Sequence, residues 1–473
     1  MSFTTSQTAS RGLRRLAATL GALVAGAALA FGTAAPAAAA QNIDPAETGS
    51  IAVHKFQEPA DPSGLPNNGT QLPDTTGLVP IEGITFTLQQ VDVDLANAAA
   101  WQGLEDYTVA EAQADLVEGS DRSLATGADG VAVFDKLPLG LYLATETNVG
   151  ANRIALKGEP FLVTMPLALN NGWLYDVHVY PKNTVTALVK DINDSDAQVI
   201  GDPIAFILSA QVPSLPAASA LSAFGITDTL DARLRYASAT VAVDGLALVP
   251  ADYAVTAANQ NVTLSFTPEG LAKLRTVQGN KVTLTLDTTI QALGDGAIQN
   301  TAAVFINDPK NSFDSNTVTS SWGALTLVKF AAGDPTKVLG GAEFALYAKD
   351  ARGNRVPAAL KDVTDGDTTF TTDASGTFTI NGLKAGDYEL VETKAPLGYL
   401  LDAKPVAVTV VQGEVAGAAT MRVSNTQVPA FELPLTGSTG IALFVGAGVL
   451  LLGTGITLAT VAKRKSIAAA ARS

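Results

Sequence analysis

From residue 49 onward the chain alternates apolar and polar side chains in short runs. In the stretch "WLYDVHVYPKNT" (Trp173 to Thr184), Tyr175, Val177 and Val179 alternate with Asp176, His178 and Tyr180, the period of two of a half-buried strand. Pro181 has no N–H to give and ends regular pairing, so Lys182 is expected just past a strand end. Successive side chains of an extended chain point to opposite faces; with Lys182 toward solvent, Asn183 points into the domain. Similar runs, rich in Thr, Val, Gly and Asp and punctuated by turn residues, continue to about residue 428, which predicts β-sandwiches. A polar, Ala-rich insert, Leu95 to Gly119, interrupts them, and "EDYTVAEAQADL" within it reads as a short helix.

The pattern repeats. "GSIAVHKF" (Gly49 to Phe56) is echoed by "GALTLVKF" (Gly323 to Phe330), and "DGVAVFDKLPLGLYLATET" (Asp129 to Thr147) aligns without a gap on "SGTFTINGLKAGDYELVET" (Ser375 to Thr393). A middle segment opens with "TVTALVKD". Three tandem β-sandwich domains are therefore expected, over 41–183, 184–320 and 321–428. The length of 473 residues agrees, at about 150 residues per domain.

Each expected domain begins with a strand carrying a lysine (Lys55, Lys190, Lys329), ends near an asparagine (Asn183, Asn316, Asn425), and holds an acid between them (Glu146, Asp228, Glu392). For the middle domain Asn300, in "IQNTAAVFIND", is the rival of Asn316. Asn316 is preferred because it shares the "SNT" context and terminal position of Asn425. Burial lowers the pKa of a lysine and raises that of a carboxylic acid, so such a pair can hold a neutral, nucleophilic amine beside a protonated acid. The acid is expected to polarise the asparagine carbonyl; the amine attacks, ammonia leaves, and first and last strands become joined by an amide. The chain has no cysteine, and such a bond would constrain a long loop as a disulfide does.

Composition narrows the function classes. Charged residues are 16% and hydrophobic ones 47%, and the formal charge of −15 becomes −22 without the cations before residue 41 and after Thr436. So acidic a body repels nucleic acid. The two histidines, His54 and His178, lie in alternating runs and read as strand residues; no Ser/His/Asp or metal-type cluster can be built from them. A secreted enzyme is disfavoured, since no acid, base or metal set exists beyond the lysine triads. Asp365 and Asp367 in "TDGDTT" are a candidate calcium pair, although turns use the same residues.

Both ends carry export signals. Arg11, Arg14 and Arg15 precede an apolar run from Leu16 to Phe31, and Ala38 and Ala40 fit a cleavage site, so residues 1–40 read as a secretory signal peptide with its helix. At the other end, in 429–473, Leu433, Pro434, Leu435, Thr436 and Gly437 precede an apolar stretch from Ile441 to Ala462 and then Lys463, Arg464 and Lys465. That run is long enough for a transmembrane helix, and the basic cluster would keep the tail inside. The arrangement closely resembles the cell-wall sorting signal of Gram-positive surface proteins, which sortases cleave between Thr and Gly, here Thr436 and Gly437.

Together with "WLYDVHVYPK" and "YELVETKAPLGY" (Tyr388 to Tyr399), these signals resemble the major shaft subunits of sortase-assembled pili, actinobacterial fimbrial subunits in particular. The resemblance implies Ig-like sandwiches of the collagen-adhesin B type, and a secreted, wall-anchored fimbrial subunit that is a sortase substrate rather than an enzyme. It implies that Lys182 joins Thr436 of an identical subunit, head to tail, and that Glu392, in the element called the E-box, serves a Lys329 to Asn425 bond. Lys190 and Asn316 would pair with Asp228. The E-box around Glu146 lacks its "APxGY" half, so Lys55 to Asn183 is the pair that departs most from the pattern. Implied partners are a pilus sortase, peptidoglycan, and further a tip pilin and a host or bacterial receptor. The alternative is a monomeric wall-anchored adhesin in which Lys182 is idle.

Overall fold

The structure is a computed structural model that describes residues 43–430 apart from 62, 63, 65, 171, 363–365, 416 and 417. The signal peptide, the LPLTG motif with Thr436, the apolar C-terminal run and Asp365 lie outside the described residues. Among those described, no helix is long and apolar enough to cross a membrane.

The fold is all-β, in three successive two-sheet sandwiches. In the first, Gly49–His54 lies between Asp176–Val179, to which it is parallel, and Val131–Leu137, to which it is antiparallel. Arg122–Ala125, Thr85–Val91, Gly140–Asn148 and Phe161–Met165 form the facing sheet. Alternation puts Ile51, Val53, Phe86, Leu88, Phe134, Tyr142 and Val177 in one buried core.

The insert contains two short helices, Ala98–Gly103 and Val109–Ala114. The second starts on a capping box in which Thr108 and Glu111 satisfy each other's backbone N–H groups. Trp101, Leu104 and Ala112 pack with Leu141 and Leu143. The insert thus covers the otherwise wet face of Gly140–Asn148.

The second sandwich faces a four-stranded sheet, Leu188–Asn193, Pro203–Gln211, Lys281–Ile290 and Leu234–Val243, against a five-stranded one whose central strand is Phe224–Thr229. In the third, Glu343–Lys349 pairs with Gly386–Lys394 in one sheet. The other is built on Val318–Ala331, a single strand that pairs first with Ala297–Asn300 and then with Thr377–Lys384 and Ala419–Asn425. This strand runs unbroken across the boundary expected at 320/321, so one ladder ties the two sandwiches. The loop after Leu188–Asn193 adds a second tie: Ile200 N–H donates to Gly382 O (2.8 Å), and Lys384 Nζ reaches Asp194 Oδ1 (2.7 Å).

Trp322 sits at the join, fully buried, its indole N–H donating to Ser320 Oγ (2.8 Å), which in turn donates to Asp194 Oδ2 (2.6 Å). Truncation of a buried aromatic costs about 3–5 kcal/mol. Trp322→Ala is therefore expected to lower the urea midpoint of the transition involving residues after 186 and leave the first sandwich unmoved, as read by tyrosine fluorescence and amide exchange.

Candidate functional site

Lys55, Lys190 and Lys329 are all fully buried, at 0% exposure. Long side chains normally keep an ammonium in water, so each sandwich must supply what water would have. Each amine lies over a phenylalanine ring: Lys55 over Phe86 (5.4 Å to the centroid), Lys190 over Phe206 (4.9 Å) and Lys329 over Phe344 (5.1 Å). The sequence reading did not find these rings. Their one signal is a Phe in the core-facing row of the next long strand, in "ITFTL", "IAFIL" and "AEFAL".

In the first sandwich Lys55 Nζ stands 2.9 Å from Glu146 Oε2 and donates to Asn183 Oδ1 at 2.6 Å. The Asn183 amide N–H₂ donates to Glu146 Oε1 and Oε2 at 2.8 and 2.9 Å, and Gly158 N–H donates to Asn183 Oδ1 at 2.6 Å. Two donors, Gly158 and Lys55, fix which end of the amide is oxygen. The acid therefore faces the amide nitrogen, not the carbonyl expected from the sequence, and the Gly158 N–H polarises the carbonyl.

The third sandwich repeats the acid's approach to lysine and amide nitrogen, while Asn425 Oδ1 accepts no hydrogen bond. Lys329 Nζ is 3.1 Å from Glu392 Oε1, while Asn425 Nδ2 donates to Glu392 Oε2 (3.0 Å) and to Leu400 O (2.6 Å). Register explains the recurrence. Asn183 is opposite Gln57 and Asn425 opposite Ala331, in each case the residue two past the lysine on a parallel strand. Residues two apart share a face, so lysine and asparagine meet.

The middle triad differs from expectation. Lys190 Nζ bonds Asp228 Oδ2, but Asn316 is exposed and its amide turns to the Lys190 backbone, accepting from Lys190 N–H (2.9 Å) and donating to Lys190 O (2.8 Å). Asn316 thus takes the place of a ladder partner and is not beside the amine. Asn300 is buried, and its side chain helps to favour the charged form of Asp228, yet neither amide atom has a hydrogen-bond partner at normal distance. Asn300 replaces Asn316 as the amide of the middle triad.

What Asn316 does has counterparts elsewhere. Lys55 N–H donates to Gly130 O (2.8 Å) and Lys55 O accepts from Ile81 N–H (2.9 Å); Lys329 has the same clamp from Gly376 (2.7 Å) and Leu339 (2.9 Å). Gly130 and Gly376 have φ of 76° and 72°, and a Cβ there would come within 2.6 and 2.8 Å of the lysine carbonyl oxygen, so only glycine serves.

Burial pulls all three lysines below the usual amine range, against the opposing pull of Glu146, Asp228 and Glu392. Burial also pushes Asp228 up. An amine whose burial disfavours its ammonium form, an acid and a primary amide brought together can form a secondary amide and release ammonia.

Lys182 opens the short strand Lys182–Val185, rather than lying past a strand end, and is half-buried opposite Phe56. Pro181 does interrupt pairing, between Asp176–Val179 and this strand. Glu58, which sequence reasoning missed, lies near it: burial pushes its carboxyl up, while Lys182 and Lys55 hold it down. His54 and His178 bond each other across neighbouring strands (Nε2 to Nδ1, 2.8 Å). Among the described residues, no group of three or more His, Cys, Asp or Glu could hold a metal ion.

Four family descriptions match in succession: Gram-positive pilin subunit D1, N-terminal domain, over 46–184; the Sgo0707 N2 domain over 188–321; a prealbumin-like fold domain over 323–425; and the LPXTG cell wall anchor motif over 425–467. Fimbrial subunit type 2 of Actinomyces naeslundii is 31% identical, with 93% of this chain and 94% of that protein aligned. Fimbrial subunit type 1 of Actinomyces viscosus is 30% identical over 94% and 96%. The solved full-length major pilin SpaD from Corynebacterium diphtheriae is similar at a TM-score of 0.67 and 29% identity, covering 82% of this chain and 99% of that one.

Removing one partner of a buried ion pair strands the other charge, at about 3–5 kcal/mol. Asp228→Ala is accordingly expected to lower the urea midpoint of the second sandwich by at least that equivalent, followed by Trp322 fluorescence. An unchanged midpoint would mean that Lys190 needs no acid.

Proposed function

The chain belongs to the family of Gram-positive fimbrial subunits represented by its Actinomyces relatives, and from that premise we propose that Lys182 and Thr436 are the two ends of its linkage into a polymer. It is a structural subunit of a cell-wall-anchored surface pilus, a sortase substrate and not an enzyme. The pilus sortase would cleave between Thr436 and Gly437 and hold Thr436 as an acyl group. Lys182 of a second copy would attack it, forming an amide and freeing the sortase. The observation that carries this is Lys182 itself. Unlike the three core lysines it is not sealed in, and it stands in the YPK stretch on the strand that continues into the second sandwich. A tip pilin and a surface receptor are further partners that the family likeness proposes.

Within each subunit we read the three triads as self-made amides: Lys55 to Asn183, Lys190 to Asn300 and Lys329 to Asn425. In the first and third, the carboxyl touches or nears both nitrogens that exchange the proton. It can take the proton that the attacking Nζ loses and hand it to the departing Nδ2, so lysine plus asparagine becomes secondary amide plus ammonia. Glu146, Asp228 and Glu392 are then shuttles. Closing such long loops is worth on the order of 4 kcal/mol each in the disulfide analogue.

Two outcomes test these readings. Lys182→Ala, co-expressed with the pilus sortase, is expected to abolish high-mass covalent ladders and leave a wall-linked monomer; unchanged ladders would favour the monomeric-adhesin alternative, with multimers of other origin. Intact mass of residues 41–436 is expected to fall short of the calculated value by three ammonia equivalents. Asn300→Ala should restore one of them, and Asn316→Ala none; the reverse result would return the middle bond to Asn316.

A further inference from the structure

The E-box turn carries an apolar patch beside the point where the chain leaves for the sorting motif. Leu397 is 100% exposed, Leu401 52%, Leu400 49% and Val428 46%. Single exposed leucines are ordinary; contiguous ones mark contact surfaces. The turn pairs with the exit segment: Leu400 N–H donates to Thr426 O and Val428 N–H to Gly398 O, both at 2.9 Å. With Tyr399 opposite Gln427, Leu400 and Val428 share one face of that pair, and Leu397 and Leu401 are exposed in the same turn.

Val428 precedes Thr436 by eight residues, at most about 29 Å of extended chain. If Thr436 is joined to Lys182 of the next subunit, that subunit's first sandwich is tethered within reach. Its surface beside Lys182 exposes an aliphatic side chain of its own. Phe56 is the register partner of Lys182, and Gln57 N–H donates to the carbonyl of Val79 (2.8 Å), which is 51% exposed. With strands about 4.8 Å apart, Val79 lies roughly two strand spacings from Lys182.

We propose that the Leu397 to Leu401 turn of one subunit docks on the Val79 side of the Lys182 strand of the next, so that the junction is a packed joint and not only a covalent tether. The occupant is a second copy of this chain, and the inference rests on the Lys182 to Thr436 linkage. Docking would bury four aliphatic side chains that the isolated subunit leaves in water, and would limit the angle between neighbours.

Since the chain has no cysteine, single thiols report the surface. Leu397→Cys, Val79→Cys and, as a control at the opposite end of the third sandwich, Val411→Cys, 57% exposed, would be treated with a bulky maleimide. Sortase-made ladders would be compared with the Lys182→Ala monomer. Leu397→Cys and Val79→Cys are expected to react in the monomer and lose labelling in ladder bands, while Val411→Cys reacts in both. Continued labelling of Leu397→Cys in ladders overturns the proposal. So does protection already present in the monomer, which would put the chain's own tail on the patch, or protection of Leu397→Cys without Val79→Cys. Amide exchange of residues 396–401 in the unmodified polymer gives the same reading where a cysteine blocks assembly. Failure of the parent chain to form ladders would sink the linkage itself, and is read from the gel independently of labelling.

Discussion

A primary amine held away from water sets the terms for every sandwich in this subunit. Desolvation disfavours the ammonium, and the phenylalanine ring under each lysine recovers only a part of it. The carboxyl supplies the rest, either as the counter-ion of an ammonium or as a protonated acid beside a neutral amine. These two states are tautomers of one pair and hold the same number of protons, so pH does not choose between them; burial, which pulls all three lysines below the usual amine range, disfavours the ammonium. Amide formation, as proposed for the triads, would make that choice permanent. With ammonia gone, no ammonium would remain to be solvated. The proposed bond would remove a costly buried charge as well as restrain the unfolded chain.

Such chemistry needs the amine held still, and the three sandwiches do this at the lysine backbone by two routes. Gly130 with Ile81, and Gly376 with Leu339, clamp the N–H and C=O of Lys55 and Lys329. The second sandwich has no parallel last strand beside Leu188–Asn193, and the Asn316 amide closes both groups of Lys190 instead. An amide side chain carries a donor and an acceptor in one plane, which suits it to stand in for a neighbouring strand.

This also explains what could be read from the sequence. Lys55, Glu146, Lys329, Glu392, Asn183 and Asn425 were legible because ungapped repeats put them at equivalent places on equivalent strands. The all-β class was legible from alternation. Asn300 was not, because the recurring "SNT" string marks where a last strand lies, whereas reactivity depends on which amide is turned inward, and that is decided by pairing. Gly158 and the Leu400 carbonyl act through space from loops that nothing in the string links to the amides, and the Phe rings show only as a Phe in the core-facing row of the next long strand. The strand character of Lys182 was hidden for a related reason: Pro181 breaks one ladder, but Lys182 joins another, beside Phe56.

The triads do not share one mechanical role. With Lys182 and Thr436 as the ends of a subunit, tension enters at Lys182 and travels toward the C-terminus. It would pass along Lys182–Val185 to Lys190, cross to Asn300, follow Val318–Ala331 to Lys329, cross to Asn425 and leave toward Thr436. The bodies of the second and third sandwiches are bypassed, and the strand that joins them without a linker lies on the path. The first sandwich hangs on this path at Lys182 and Asn183, where its last strand pairs with Phe56–Gln57, but its body precedes Lys182 and is off it, so a Lys55 to Asn183 bond would not lie in line with the pull. Its location gives it another use. Asn183 is the residue after Lys182, and a bond there pins the strand that presents the reactive amine, with Gly158 N–H on the Asn183 oxygen and Glu58 N–H on the Asn183 carbonyl (2.8 Å) holding the same residue. On the reading proposed for the triads, the first cross-link would be a positioning device and the other two the tensile ones.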